Sequence, residues 1–293
     1  MNEVSRPAST QDPIQTREVS WLIIALFVVA SSGVLILLTV LRNAPLLRLI
    51  LAVTSWRSNL FVFGALLLIT VGGVIFGLGR LRPADVGLRR DKLVEGIIVT
   101  LAIWSLMQAI EVIGDIATTG TFSVAPSWSR NGVGSTLAWT AVMFLGAALY
   151  EEIGDRGFLF PQLYLKIRGT HRARFWIALL VSQAVFAASH IPAHVTIRNL
   201  SGSALLMTLV LQGVIGVLLV LLYLRTRNLW ICIGIHGLAN APTPHVAGAS
   251  GFEAFLLILL VGWPWIARRP QHRSLARVEL KPPGGRKGGD HER

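Results

Sequence analysis

The run from Trp21 to Leu41 places 21 consecutive residues without a single charged side chain. At about 1.5 Å of rise per residue it reaches across the roughly 30 Å hydrocarbon core of a bilayer. Inside that core only a helix or a closed barrel satisfies its own backbone. Comparable apolar runs recur at 60–78, 96–114, 133–150, 175–190, 205–223, 229–240 and 254–267. The pattern predicts an all-α, polytopic helical membrane protein with about eight transmembrane helices. Composition agrees, since the chain is 53% hydrophobic, only 14% charged, and has a mean hydropathy of +0.61. Such values lie outside the range of soluble domains.

The net charge of +12 would suggest nucleic acid in a soluble protein. Here the basic residues gather between the apolar runs, as Arg80, Arg82, Arg89, Arg90 and Lys92 do, so no nucleic-acid partner is called for. Membrane lipids are the expected surroundings. The placement of most of the 27 Lys and Arg residues predicts that both termini are cytoplasmic, against the dissent of Arg42, Arg48 and Arg57. Residues 1–20 read as a disordered polar tail, 21–267 as the transmembrane domain, and 268–293 as a basic disordered tail. The single cysteine, Cys232, allows no intramolecular disulfide.

One stretch resists this apolar background. Tyr150-Glu151-Glu152-Ile153-Gly154-Asp155-Arg156-Gly157 puts four charges at the end of a spanning run. Each costs about 3 kcal/mol or more at membrane depth, so such residues are functional candidates. Glu152 and Arg156 stand at i, i+4, where opposite charges meet on one helix face. That pairing leaves Glu151 to act elsewhere, and Asp155 lies four residues beyond it. Glu151 can lie at membrane depth only if the fourth helix continues past Glu152 toward Tyr164, with Pro161 as a kink.

Two histidines downstream also sit in apolar runs. His190 ends the fifth, and His194 after Pro192 reads as a loop residue. His236 and Asn240 share a helix face at i, i+4. Together, Glu151, His190, His236 and Asn240 supply a base, two imidazoles and a carboxamide, the parts that activate water and steady an oxyanion. Glu151, His190 and His236 would equally form a ligand set for a divalent metal such as zinc, whose bound water would attack. The residues alone do not choose between the two.

At these positions the chain resembles the CPBP family of intramembrane proteases, which includes the CAAX prenyl endopeptidases. The family pattern EExxxR, FxxxH and HxxxN is matched by Glu151-Glu152 with Arg156, Phe186 with His190, and His236 with Asn240. The resemblance covers roughly residues 136–242. It implies Glu151, His190, His236 and Asn240 as the catalytic group, with Glu152 and Arg156 in support. It also implies an integral protein of a bacterial plasma membrane that cleaves a membrane-anchored or lipidated protein or peptide. Asp155 departs from the family pattern, which favours an apolar or aromatic residue before the arginine. That departure keeps two other readings in view: a catalytically weakened scaffold or immunity protein, and an ion-coupled transporter.

Overall fold

The computed structural model describes residues 16–42, 55–122, 126–241 and 252–266, and regular structure among them is helical throughout. The terminal tails, apart from residues 16–20, lie outside the described residues. In chain order the principal helices are α1 (Trp21–Arg42), α2 (Ser55–Leu66, passing into π-helical Leu67–Leu78) and α3 (Leu93–Thr119). They continue with α4 (Val133–Lys166), α5 (His171–Ser189), α6 (Ile191–Thr196), α7 (Gly202–Thr226), α8 (Leu229–Asn240) and α9 (Phe252–Ile266). Among the described residues five helical stretches are long and apolar enough to cross a membrane: Asn59–Leu78, Arg90–Thr119, Val133–Lys166, His171–Thr196 and Gly202–Thr226. Together with α1, α8 and α9 they account for the eight apolar runs. The chain is an all-α, polytopic membrane protein, and Leu22, Val29, Leu68, Ile98, Leu145 and Met207 stand exposed where lipid would cover them.

The short helix α8 shows why some of these runs are not equivalent. Its 12 residues extend only about 18 Å, too little to cross a bilayer. Nine of them are buried, because α3, α4, α7 and α9 enclose it on every side. A helix that is apolar all round is a core helix. Its entry is fixed by Asn228, whose Oδ1 accepts from the Trp230 N–H at 3.0 Å and whose Nδ2 donates to the Lys92 carbonyl at 3.0 Å. One side chain therefore starts α8 and ties it to the start of α3.

The helix α4 is the axis of the molecule and runs through the acidic stretch without a break, as the depth requirement demanded. Just beyond that stretch Phe158, Leu159 and Phe160 are as buried as any core residue. Its far end carries α5: Arg174 donates to the Tyr164 carbonyl at 2.9 Å and stacks over the Tyr164 ring at 4.5 Å. Residues 16–20 differ from the expected loose tail. Val19 is buried, its N–H donates to Gln162 Oε1 at 2.9 Å, and Gln162 Nε2 donates to the Arg17 carbonyl at 2.8 Å. A buried amide on α4 needed partners, and this backbone strap supplies them.

Candidate active site

Two stretches of α4, Met143–Ala148 and Glu152–Leu159, are π-helical, with Leu149–Glu151 α-helical between them. Such widened turns are rare and concentrate at functional sites. Here they flank Glu151 and carry Glu152. Glu152 and Arg156 are fully buried and paired, with Nη1 to Oε1 at 3.1 Å. Arg156 Nη2 also donates to the Gly216 carbonyl on α7 at 3.4 Å. Asp155 does not divert Arg156 from this pair, since Oδ2 stands 4.0 Å from Nη1.

Glu151 points the other way, and both imidazoles come to it. His236 Nε2 lies 3.5 Å from Glu151 Oε2, and His190 Nε2 lies 3.7 Å from the same oxygen. The opposite nitrogens have different partners. His236 Nδ1 is 2.7 Å from Glu152 Oε1, and His190 Nδ1 is 2.9 Å from the Phe186 carbonyl. Both partners only accept, so each Nδ1 carries a proton and each ring turns its Nε2 toward Glu151. A water among these atoms would reach Glu151 Oε2 and both Nε2 atoms.

A cavity of about 600 Å³ opens beside this cluster, and Glu151, His190, His236 and Asn240 all line it. The structure thus brings the four candidates to one wall and sets Glu152 and Arg156 behind them. Asn240 is exposed to the cavity one helical turn beyond His236, as the i, i+4 spacing requires. On the far side of Glu151 and His190 a smaller chamber of about 140 Å³ holds Ser31, Tyr150, Asp155 and Ser189 among its lining residues. Asp155 faces this chamber, away from the larger cavity.

Three features were not read from the sequence. Phe186 is more than a spacer, because the Arg156 guanidinium lies 4.6 Å over its ring and the His190 ring meets it edge-on at 4.8 Å. It holds the supporting cation and a site imidazole at once. His194 is not a loop residue. Pro192 opens α6 at a first-turn position, where its missing N–H costs nothing, and His194 is buried on that helix in the cavity wall. Gln212, on α7, holds His194 Nε2 at 2.8 Å through Oε1. The Pro192 signal marked a helix start, and it read as a break.

The metal-ligand set fares differently. Among the described residues no group of three His, Cys, Asp or Glu side chains is arranged to hold a metal ion. His190, His236 and Glu151 therefore carry no metal step below.

Fold and site together define a polytopic membrane protein with a base-bearing cavity between its helices. Residues 133–242 match the family model described as type II CAAX prenyl endopeptidase Rce1-like. Over this segment the chain is similar to that family. The matched stretch runs from the start of α4 through α8 and so contains every member of the cluster. No curated protein and no solved structure matches the chain.

Proposed function

We propose that the chain is an intramembrane endopeptidase that hydrolyses a peptide bond in a membrane-anchored, lipidated protein or peptide, with water activated by Glu151. The observation that carries this reading is the convergence of two imidazoles on Glu151 Oε2 at the wall of a 600 Å³ cavity. In the proposed reaction the water donates one proton to Glu151 as its oxygen attacks the carbonyl carbon. The C=O electron pair moves onto oxygen, and the Asn240 amide donates to that oxyanion. The C–N bond then breaks, and the proton held by Glu151 passes to the leaving nitrogen. The buried Glu152 carboxylate fixes the His236 ring and stabilises positive charge on it whenever a proton visits Nε2.

The test is cleavage of a prenylated peptide by the purified protein in nanodiscs. Glu151→Gln should lower kcat by roughly 10³-fold or more, a scale typical for loss of a catalytic base with its activated water. His190→Ala and His236→Ala should each lose on the order of 10²-fold. Cleavage by Glu151→Gln at the wild-type rate would sink the assignment. A chelator should leave the wild-type rate unchanged, and loss restored by added zinc would move the nucleophile to a metal.

The basic 79–95 connection further supports an orientation with the N-terminus cytoplasmic. Asp155 lines the side chamber and not the larger cavity, which supports the enzyme reading over a scaffold.

A further inference from the structure

Behind the wall that carries Glu151 and His190 stands a carboxylate without a close partner. Asp155 lines the 140 Å³ chamber, its side chain is 13% exposed, and Arg156 Nη1 stands 4.0 Å from its Oδ2, beyond hydrogen-bond reach. A carboxyl group at membrane depth is costly in either protonation state unless its oxygens are bonded. Ser31 on α1 shares the lining, and its buried Oγ has no hydrogen-bond partner. Ser189 on α5 shares it too. Its Oγ donates to the Phe186 carbonyl at 2.7 Å, which leaves the oxygen itself to accept. Ser32 and Tyr150 add two more hydroxyls.

Size and chemistry fit this chamber to water. At roughly 30 Å³ per molecule there is room for about four. Phe27, Val28 and Leu35 make part of the wall apolar, but a buried water needs only about three polar partners. Asp155, the serines and Glu151 supply them. The position matters as much. Glu151 and His190 line both spaces, whereas Asp155, Ser31 and Ser189 line the chamber and not the large cavity. A lipidated peptide in the large cavity covers the cavity side of Glu151, since a bound ligand and its site bury most of the surface between them. Each turnover consumes one water: its hydroxyl joins the new carboxyl group, and its other proton reaches the leaving nitrogen through Glu151. That water must be held where the peptide is not.

We infer that the small chamber retains the hydrolytic water, with Asp155, Ser31 and Ser189 holding it against Glu151 while substrate occupies the large cavity. This rests on the endopeptidase reading and adds to it the source of the nucleophile. Asp155 is a positioning residue here: it holds the water, and Glu151 takes the proton.

The test fills the chamber from α1, whose Ser31 and Ser32 do not line the large cavity. Cleavage of a prenylated peptide by full-length protein in nanodiscs is measured for Ser31→Leu and Ser32→Leu. Each should lower kcat at least about tenfold with KM unchanged, because water is displaced and peptide binding is not. Val29→Leu, on the lipid-facing side of the same helix, should keep the wild-type rate. A size-matched pair at Asp155 separates water from volume. Asp155→Asn still bonds water and should lose less than about threefold, whereas Asp155→Leu bonds none and should lose about tenfold. Melting temperatures, and peptide binding by the same variants in Glu151→Gln protein, are measured alongside; if one filled variant does not fold, the other and the Asp155 pair decide. Wild-type kcat in the folded filled variants, equal losses in Asp155→Asn and Asp155→Leu, or a fall in kcat matched by weaker peptide binding overturns the proposal. Those results leave the endopeptidase reading standing, because wild type still cleaves. Absence of cleavage by the wild type overturns both.

Discussion

Glu151 and Glu152 are adjacent in sequence and have opposite roles, and a single imidazole links them. His236 gives Nδ1 to Glu152 and turns Nε2 toward Glu151. The division follows from helix geometry, because neighbouring residues cannot face one point. Removing one member of the buried Glu152–Arg156 pair strands the other charge, at about 3–5 kcal/mol. Glu152→Gln should therefore lower thermal stability sharply, while Asp155→Asn, whose carboxylate stands at the 4.0 Å margin of Arg156, should change it much less. Thermal unfolding in detergent compares the two, and an equal loss would show that Asp155 shares the support. Phe186→Leu keeps the apolar volume but removes the ring beneath Arg156 and against His190, so kcat should fall roughly tenfold through a displaced imidazole. An unchanged rate would reduce Phe186 to packing.

At the scale of the element, α4 decides the site by coming unusually close to its neighbours. A Cβ at Gly157 would overlap the Val86 carbonyl, a backbone atom that cannot swing aside. A Cβ at Gly154 would meet the edge of the Phe27 ring at 2.8 Å, and a ring can turn. Gly157→Ala should thus be the more damaging change, by about 1–3 kcal/mol from overpacking, while Gly154→Ala costs less. The comparison is again one of melting temperatures, and the reverse order would mean that the 83–86 turn yields more easily than the aromatic contact. Pro161 follows directly on the π segment, and α4 continues past it to Lys166. The continuation of α4 was legible, since Glu151 and the histidines could not otherwise share a depth. The π turns were not, because no residue pattern separates them from ordinary helix.

For the whole molecule, the apolar faces set the surroundings and the basic connections support the proposed orientation. Cys232 is buried on α8, so a cysteine placed at exposed Arg89 gives a clean site for a membrane-impermeant maleimide. With the N-terminus cytoplasmic, Arg89→Cys should label in inverted vesicles and not in intact cells; the opposite pattern would reverse the topology. Gln162 joins the strap at residues 16–20 to α4 through two bonds, so Gln162→Leu strands the buried Val19 N–H and takes a donor from the part-buried Arg17 carbonyl. A loss of about 2 kcal/mol or more is expected in thermal unfolding, and no loss would mean that the strap is held by Val19 alone.

The sequence by itself determined the class and the parts. Long runs of apolar residues read as membrane helices, and charges within them are costly enough to be functional candidates. Spacing at i, i+4 also determined the Glu152–Arg156 pair, because that relation is local. Only the tertiary structure decided what comes from elsewhere in the chain. It brought His190 and His236 to one oxygen of Glu151, made α8 a buried core helix, placed Phe186 under Arg156, and turned His194 and Arg198 into the same cavity. These depend on how helices pack across the fold, and residue spacing holds no information about that.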